Sequence, residues 1–204
     1  MRRFLIVRHG ESEWNREGRW QGWIDIALTE RGEAQARARG VELHADGHRF
    51  SAVHCSDLQR AARTAELISA ALAGPAAQPD EGLRERFGGD WQGLNRDEMH
   101  AGWPEELAAW RRGELPGPPG GETDTDLLER VEAALARIDV ASPPGPLLIV
   151  THGGVLGQLT HAAGVQPREP ISNLGGRWFD WDGGALRASD PLPPLAEEPD
   201  TAME

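Results

Sequence analysis

Phe4-Leu5-Ile6-Val7-Arg8-His9-Gly10-Glu11-Ser12 decides how this chain is read. Four apolar residues followed by polar residues and a glycine mark a buried strand that stops at a loop. The pattern returns at Leu147-Leu148-Ile149-Val150, followed by Thr151-His152-Gly153-Gly154. In open α/β sheets, ligands bind beyond the carboxyl ends of the strands. Two imidazoles and an arginine at such ends point to a site for phosphate chemistry.

Between and after these strands, helical and extended patterns alternate. Thr29 predicts an N-cap, with Glu30 and Glu33 in the first turn of a helix running to about Leu43. Ala52-Val53-His54-Cys55 predicts a short strand. Ser56 or Asp57 is expected to cap the next helix, where Leu58, Ala61, Ala62, Ala65, Ile68 and Leu72 recur at helical spacing before Gly74-Pro75 ends it. The stretch Trp14 to Leu28 predicts a Trp-rich loop. Residues 81–121 are rich in Gly, Trp and charge, with short helices expected around Arg96–His100 and Pro104–Arg111. Pro116-Gly117-Pro118-Pro119-Gly120-Gly121 is a loop that neither a helix nor a central strand would tolerate.

Asp124 to Ile138 is an amphipathic helix, with Leu127, Leu128, Val131, Leu135 and Ile138 on one face. A helix from Val155 to Ala163 follows the second buried strand. Trp178–Trp181 and Leu186–Ser189, joined by Asp182-Gly183-Gly184, predict a hairpin. From Asp190 the chain is Pro-rich and acidic, which predicts a disordered tail over 190–204 after a single domain of residues 1–189. Strand–helix alternation of this kind predicts an α/β layered sandwich.

At 204 residues, one domain with a sizeable core is expected. With 33 acidic against 21 basic residues the net charge is −12, which argues against nucleic acid or an anionic membrane surface as partner. A small anionic substrate held by a few focused arginines remains compatible with that charge. No apolar segment approaches the roughly 20 residues that span a bilayer, and the run after Met1-Arg2-Arg3 is too short for a secretory signal. The lone Cys55 excludes an internal disulfide and a cysteine-rich metal site, so a cytoplasmic setting is expected. The oligomeric state is left open, with a homodimer as one option.

Neutral imidazole is a good nucleophile, and histidine forms covalent intermediates. Beside it, Arg8 offers planar donors matched to phosphate oxygens. Alone, Arg8-His9-Gly10 reads as a surface histidine after a strand; its surroundings change that. Ser56-Asp57-Leu58-Gln59-Arg60 puts Arg60 in the first turn of a helix, where it joins backbone N–H groups in facing an anion. Leu83-Arg84-Glu85 leads into the glycine-rich Gly88-Gly89-Asp90-Trp91-Gln92-Gly93, a loop that can carry a carboxyl. His44 and His48 read as a helix end without a third metal ligand, His54 and Cys55 as structural, and His100 and His161 as surface or packing residues.

Taken together, these elements resemble the histidine phosphatase superfamily, the phosphoglycerate mutase-like family. The motifs are Arg8-His9-Gly10-Glu11-Ser12 with Trp14-Asn15, Gly18-Arg19-Trp20-Gln21-Gly22 with Asp25 and Leu28-Thr29, and Ser56-Asp57-Leu58 with Arg60-Ala61 and Thr64-Ala65. Leu83-Arg84-Glu85 with Gly88 and Trp91-Gln92-Gly93, then Gly120-Gly121-Glu122 and Thr151-His152-Gly153-Gly154, complete the set in the family's order, over residues 3 to about 164. The resemblance implies a three-layer αβα sandwich with a mostly parallel sheet and a phosphohistidine mechanism needing neither metal nor cofactor. It implies His9 as nucleophile, Arg8, Arg60 and His152 on the phosphoryl oxygens, and Glu85 as the acid that protonates the leaving alcohol and then helps water attack. Asn15, Gln21, Ser12 and Gly153 would complete the phosphate and substrate contacts. Two guanidiniums and an imidazolium would neutralise three oxygens.

Two departures stand out. Gln92 replaces a frequent Glu, and Gly121-Glu122-Thr123 replaces Gly-Glu-Ser, keeping the hydroxyl. Mutases of this family carry a longer insertion where this chain has 34 positions from Gly88 to Glu122, none of them lysine. A phosphomonoesterase acting on a small phosphate ester is therefore expected, ahead of a phosphoglycerate mutase or a non-catalytic phospho-ligand binder. Trp14, Trp20, Trp23, Trp91, Trp103 and Trp110 lie where the mouth is expected, either to stack on a leaving group or to pack loops onto the body.

Overall fold

A computed structural model describes residues 1–166 and 170–195. The strands are β1 (Arg2–Arg8), β2 (Ala52–Cys55), β3 (Ala77–Pro79), β4 (Leu147–Thr151), β5 (Gly176–Trp181) and β6 (Leu186–Leu192). They form one sheet in the order β3-β2-β4-β1-β5-β6. β1, β2, β3 and β4 are mutually parallel; β5 runs against β1, and β6 against β5. Only β5 therefore opposes the common direction, so the sheet is mostly parallel, as expected.

The helices are α1 (Glu13–Glu17), α2 (Glu30–Ala45), α3 (Gln59–Leu72), α4 (Arg96–Gly102), α5 (Pro104–Arg111), α6 (Asp124–Ala141) and α7 (Gly153–Ala162). Alternate residues of each central strand enter opposite cores. Phe4, Ile6, Leu147 and Ile149 pack with Leu127, Val131, Leu135 and Ile138 of α6 and with Val155, Leu156 and Leu159 of α7. Leu5, Val7, Leu148 and Val150 pack with Ala36 and Leu43 of α2 and with Ala61, Ala65 and Ile68 of α3. Burial on both faces is why β1 and β4 read as unbroken apolar runs. The result is the expected three-layer αβα sandwich.

Several elements differ from the sequence reading, each for a local reason. α1 interrupts the expected Trp-rich loop because Ser12 and Asn15 form a reciprocal capping box. Neither Ser56 nor Asp57 caps α3. Leu58 holds the cap position, and the exposed Gln59 N–H is taken by Asp25 Oδ1 from the preceding loop at 2.7 Å. α7 starts at Gly153, two residues earlier than expected, which makes His152 its N-cap residue. Asp190, Pro191 and Leu192 complete β6 instead of opening a tail. As the outermost strand, β6 tolerates Pro191. Residues 196–204, the rest of the expected tail, lie outside the described residues.

The segment between β3 and α6 forms a cap of its own. Trp91, Met99 and Leu107 are buried together, with Trp20, Trp103 and Trp110 packed against them. The rings of Trp20, Trp91 and Trp110 meet edge to face at 5.5, 6.0 and 5.9 Å. Most of the tryptophans expected at a mouth therefore build this small core.

Candidate active site

β1 and β4 are neighbours in register, with Arg8 opposite Thr151, so the next residue of each strand is a histidine. His9 N donates to Thr151 O at 2.9 Å, and the two imidazoles meet edge-on with centroids 5.2 Å apart. From this point α2 packs on one face of the sheet and α7 on the other. That divergence is a topological switch point, where doubly wound sheets open a crevice.

His9 is buried, and its Nδ1 lies 2.7 Å from Gly10 O. A carbonyl only accepts, so Nδ1 carries the proton and Nε2 keeps a lone pair. Burial, then the Arg60 and Arg8 charges, hold this ring's pKa well below 6.5, so it is neutral at neutral pH. Gly10 N–H donates to Thr64 Oγ1 at 3.0 Å. A side chain at position 10 would meet Gly32 O at 2.5 Å, so α2 sits directly on the loop that carries the nucleophile candidate.

Arg8 is buried at the end of β1 and donates to Ile171 O. Arg60, fully buried, donates from Nη1 to Ile24 O at 2.9 Å and from Nη2 to Gly22 O at 2.7 Å. Burial pulls its pKa down to about 10, opposed by Glu85 and Asp25, so it remains charged at neutral pH. It also faces Arg8, and both histidines feel its charge.

Among the described residues, Arg60 Nε and both ring nitrogens of His152 are buried without a hydrogen-bond partner. Leaving a buried polar group unpaired costs about 1–3 kcal/mol, and these three lie on two side chains that act on each other, an arrangement suited to polar ligand atoms. An imidazolium is expected at position 152, but its surroundings favour the neutral ring. Burial, then Arg60, His9, Arg8 and Arg130, hold its pKa well below 6.5.

Glu85 reaches the same end of the sheet from the cap segment. Its Oε2 accepts from Gly154 N, in the first turn of α7, at 3.0 Å, and its Oε1 accepts from Arg86 N at 2.7 Å. A Cβ at Gly154 would stand 2.5 Å from Glu85 Oε1, so a glycine there lets the carboxylate rest on the helix. Ser12, Asn15 and Gln21 are buried and form a chain: Ser12 Oγ accepts from Asn15 N at 3.2 Å and donates to Gln21 Oε1 at 2.8 Å. Gly153 is buried directly after His152. Thus residues 8, 9, 60, 85 and 152 converge, while Ser12, Asn15 and Gln21 form the adjoining loop.

Sequence reasoning missed Asn173, whose Nδ2 donates to His9 O at 3.0 Å and Asn15 Oδ1 at 3.3 Å. It also missed Arg130, treated below. Gln92 Oε1 accepts from Trp23 N at 2.8 Å and Gly88 N at 3.2 Å, so it ties cap loops together. A separate cavity of about 780 Å³ opens beside the start of β1, lined by residues that include Arg3, His48, Arg49 and Trp178. It holds none of the unpartnered nitrogens, so chemistry rather than volume locates the candidate site. Among the described residues, no group of three His, Cys, Asp or Glu side chains is placed to hold a metal.

The neutral rings bear on stability. Unfolded, His9 and His152 take up protons below about pH 6.5; folded, they resist doing so. Stability should therefore fall as pH drops below 6.5, by up to about 1.4 kcal/mol per pH unit for each ring. Thermal melts between pH 7 and pH 5 should show this slope, and His152→Asn should flatten it. An unchanged slope would mean that the ring charges without unfolding.

A mostly parallel sheet with helices on both faces, paired histidines and two arginines at its switch point places the molecule among α/β proteins whose sites lie at the strand ends. The histidine phosphatase superfamily (branch 1) model matches residues 4–187, and the chain belongs to that superfamily. A 2,3-bisphosphoglycerate-dependent phosphoglycerate mutase of Methylobacterium sp. (strain 4-46) is 46% identical over 135 residues. That match covers 64% of this chain and 65% of the mutase, so the chain spans less than two thirds of the relative's length. Among solved structures, mycobacterial hydrolase 1 superposes with a TM-score of 0.81 at 28% identity, covering 97% of this chain and all of that one. Mycobacterial glucosyl-3-phosphoglycerate phosphatase, in complex with VO3, superposes with a TM-score of 0.80 at 29% identity, covering 93% and 98%. No helix among the described residues is long and apolar enough to cross a membrane.

Proposed function

We propose that the chain is a phosphomonoesterase that hydrolyses a small phosphorylated metabolite through a phosphohistidine at His9. The observation that carries this is the Nε2 lone pair of His9, freed by the Nδ1–Gly10 bond, beside the buried and unpartnered nitrogens of Arg60 and His152. In the first step Nε2 attacks phosphorus, the ester P–O bond breaks, and Glu85 gives its proton to the departing alkoxide. Arg8, Arg60 and His152 hold the phosphoryl oxygens, and the dianion raises the proton affinity of His152 as it binds. In the second step Glu85 takes a proton from water as its oxygen bonds to phosphorus. The P–N bond then breaks and the lone pair returns to His9. Neutral His9 suits the nucleophile because an imidazolium has no lone pair there. Asn15, Gln21, Ser12 and Gly153 complete the phosphate and substrate contacts, the first three through their shared chain of hydrogen bonds.

Hydrolase is preferred to mutase on the cap. The 33 residues between Gly88 and Glu122 carry six acidic side chains against three arginines, a poor charge balance for a doubly phosphorylated ligand, and the hydrolase and phosphatase structures match over nearly their whole length. A cytoplasmic setting and a metal-independent reaction belong to the same proposal. The test is a panel of phosphate monoesters assayed with a chelator present, with and without 2,3-bisphosphoglycerate. Release of inorganic phosphate, unaffected by chelator and inhibited by vanadate, is expected. Bisphosphoglycerate-stimulated isomerisation with little phosphate released would make the chain a mutase; tight ester binding without turnover would make it a binder.

A further inference from the structure

We infer that Arg130 is the positioning residue for Glu85, an inference that rests on the phosphohistidine reading above. Arg130 lies on α6. Its Nε and Nη2 grip both carboxylate oxygens of Glu122 at 2.7 Å each. The same guanidinium donates to three carbonyls of the segment that carries Glu85: Gly82 O at 3.0 Å, Arg84 O at 3.0 Å and Glu85 O at 3.1 Å. Five bonds from one planar fork fix that backbone in place and in rotation.

The surrounding contacts have the same effect. Glu122 Oε2 also accepts from Phe87 N at 2.9 Å, and Glu122 N donates to Phe87 O at 2.9 Å. Glu85 O accepts a second bond, from Trp23 Nε1, at 2.7 Å. On either side, Arg84 pairs with Asp57 ahead of α3, and Arg86 pairs with Asp124 at the start of α6. Residues 84 and 86 are thus tied outward to the two helical layers, and residue 85 alone is left turned toward α7 and the histidines. Arg130 joins the segment that carries Glu85 to Glu122, so the Glu122–Arg130 pair sets the position of the proton donor.

The prediction separates positioning from plain support. An alkyl phosphate needs its leaving oxygen protonated; 2,4-dinitrophenyl phosphate does not. With Arg130→Met, kcat/KM for glycerol phosphate should fall by about 30- to 100-fold, the scale of a misplacement near 1 Å. For the dinitrophenyl ester, labelling of His9 should change by less than about threefold. Arg130→Lys keeps the charge felt by His152 but loses the fork, and should resemble the methionine variant on the alkyl ester. If Arg130→Met does not fold, Glu122→Gln should show the same bias between esters with a smaller loss. Equal losses on both esters, or none on either, would overturn the inference. A wild-type protein that never labels His9 would instead overturn the reading beneath it.

Discussion

His9→Ala should lower hydrolysis of p-nitrophenyl phosphate on the order of 10⁵- to 10⁶-fold, the scale seen when an attacking group is deleted from a site that otherwise stays assembled. No other described side chain combines the same burial, a defined free ring nitrogen and two guanidiniums beside it. His152 also feels both charges, but it has no bond that would fix its tautomer. A radiolabelled ester should leave acid-labile label on the wild-type protein and none on the variant. Turnover within tenfold of wild type, or label retained by the alanine variant, would remove the covalent mechanism. Because the mutation also deletes a ring that resists protonation, the variant should lose less stability than the wild type between pH 7 and pH 5.

The second large effect is expected at Arg60, where the proposed phosphoryl contact and the fold depend on one side chain. Arg60→Met removes one charge from the proposed phosphoryl cradle and leaves Gly22 O and Ile24 O without their donor. Loss of one charge-stabilising donor typically costs about 10²- to 10³-fold in rate, and the two orphaned carbonyls about 1–3 kcal/mol each if they stay buried. Both kcat and KM should suffer, since the 22–24 loop leads from Gln21 to Asp25, which caps α3. Arg60→Lys should rescue little, because an ammonium cannot bond both carbonyls and an ester in a fixed plane. Steady-state kinetics and urea unfolding measure the two losses separately. A methionine variant within threefold of wild-type kcat/KM would exclude Arg60 from the cradle.

The features that were legible in the sequence are those whose cause is local. The apolar runs at residues 4–7 and 147–150, the Thr29 cap and the Pro104 start of α5 are each set by a few adjacent residues, and each appears where it was read. The same holds for His9, His152 and Arg60, which sit at strand ends or in a first helical turn. What stayed hidden is placed by distant parts of the chain. Ala77–Pro79 has no alternation of its own and is a strand only because β2 lies beside it. Asp25 replaces the expected caps of α3 across a gap of 34 residues. Arg130 reads as one more charge on an amphipathic helix until the cap folds over it. Charge states were also out of reach: burial and four cationic or imidazole neighbours press His152 toward the neutral form in place of the expected imidazolium, and no spacing rule encodes them.

The β1–β4 pairing has a consequence for how activity arises during synthesis. His9 and His152 are separated by 143 positions, and β4 is the strand that fills the gap between β1 and β2. Neighbouring strands so far apart along the chain place this protein among the slower, topologically demanding folders. A ribosome-bound chain ending before residue 147 lacks the second imidazole and the strand that would seat it. The paired-histidine arrangement therefore assembles late, once β4 has been made.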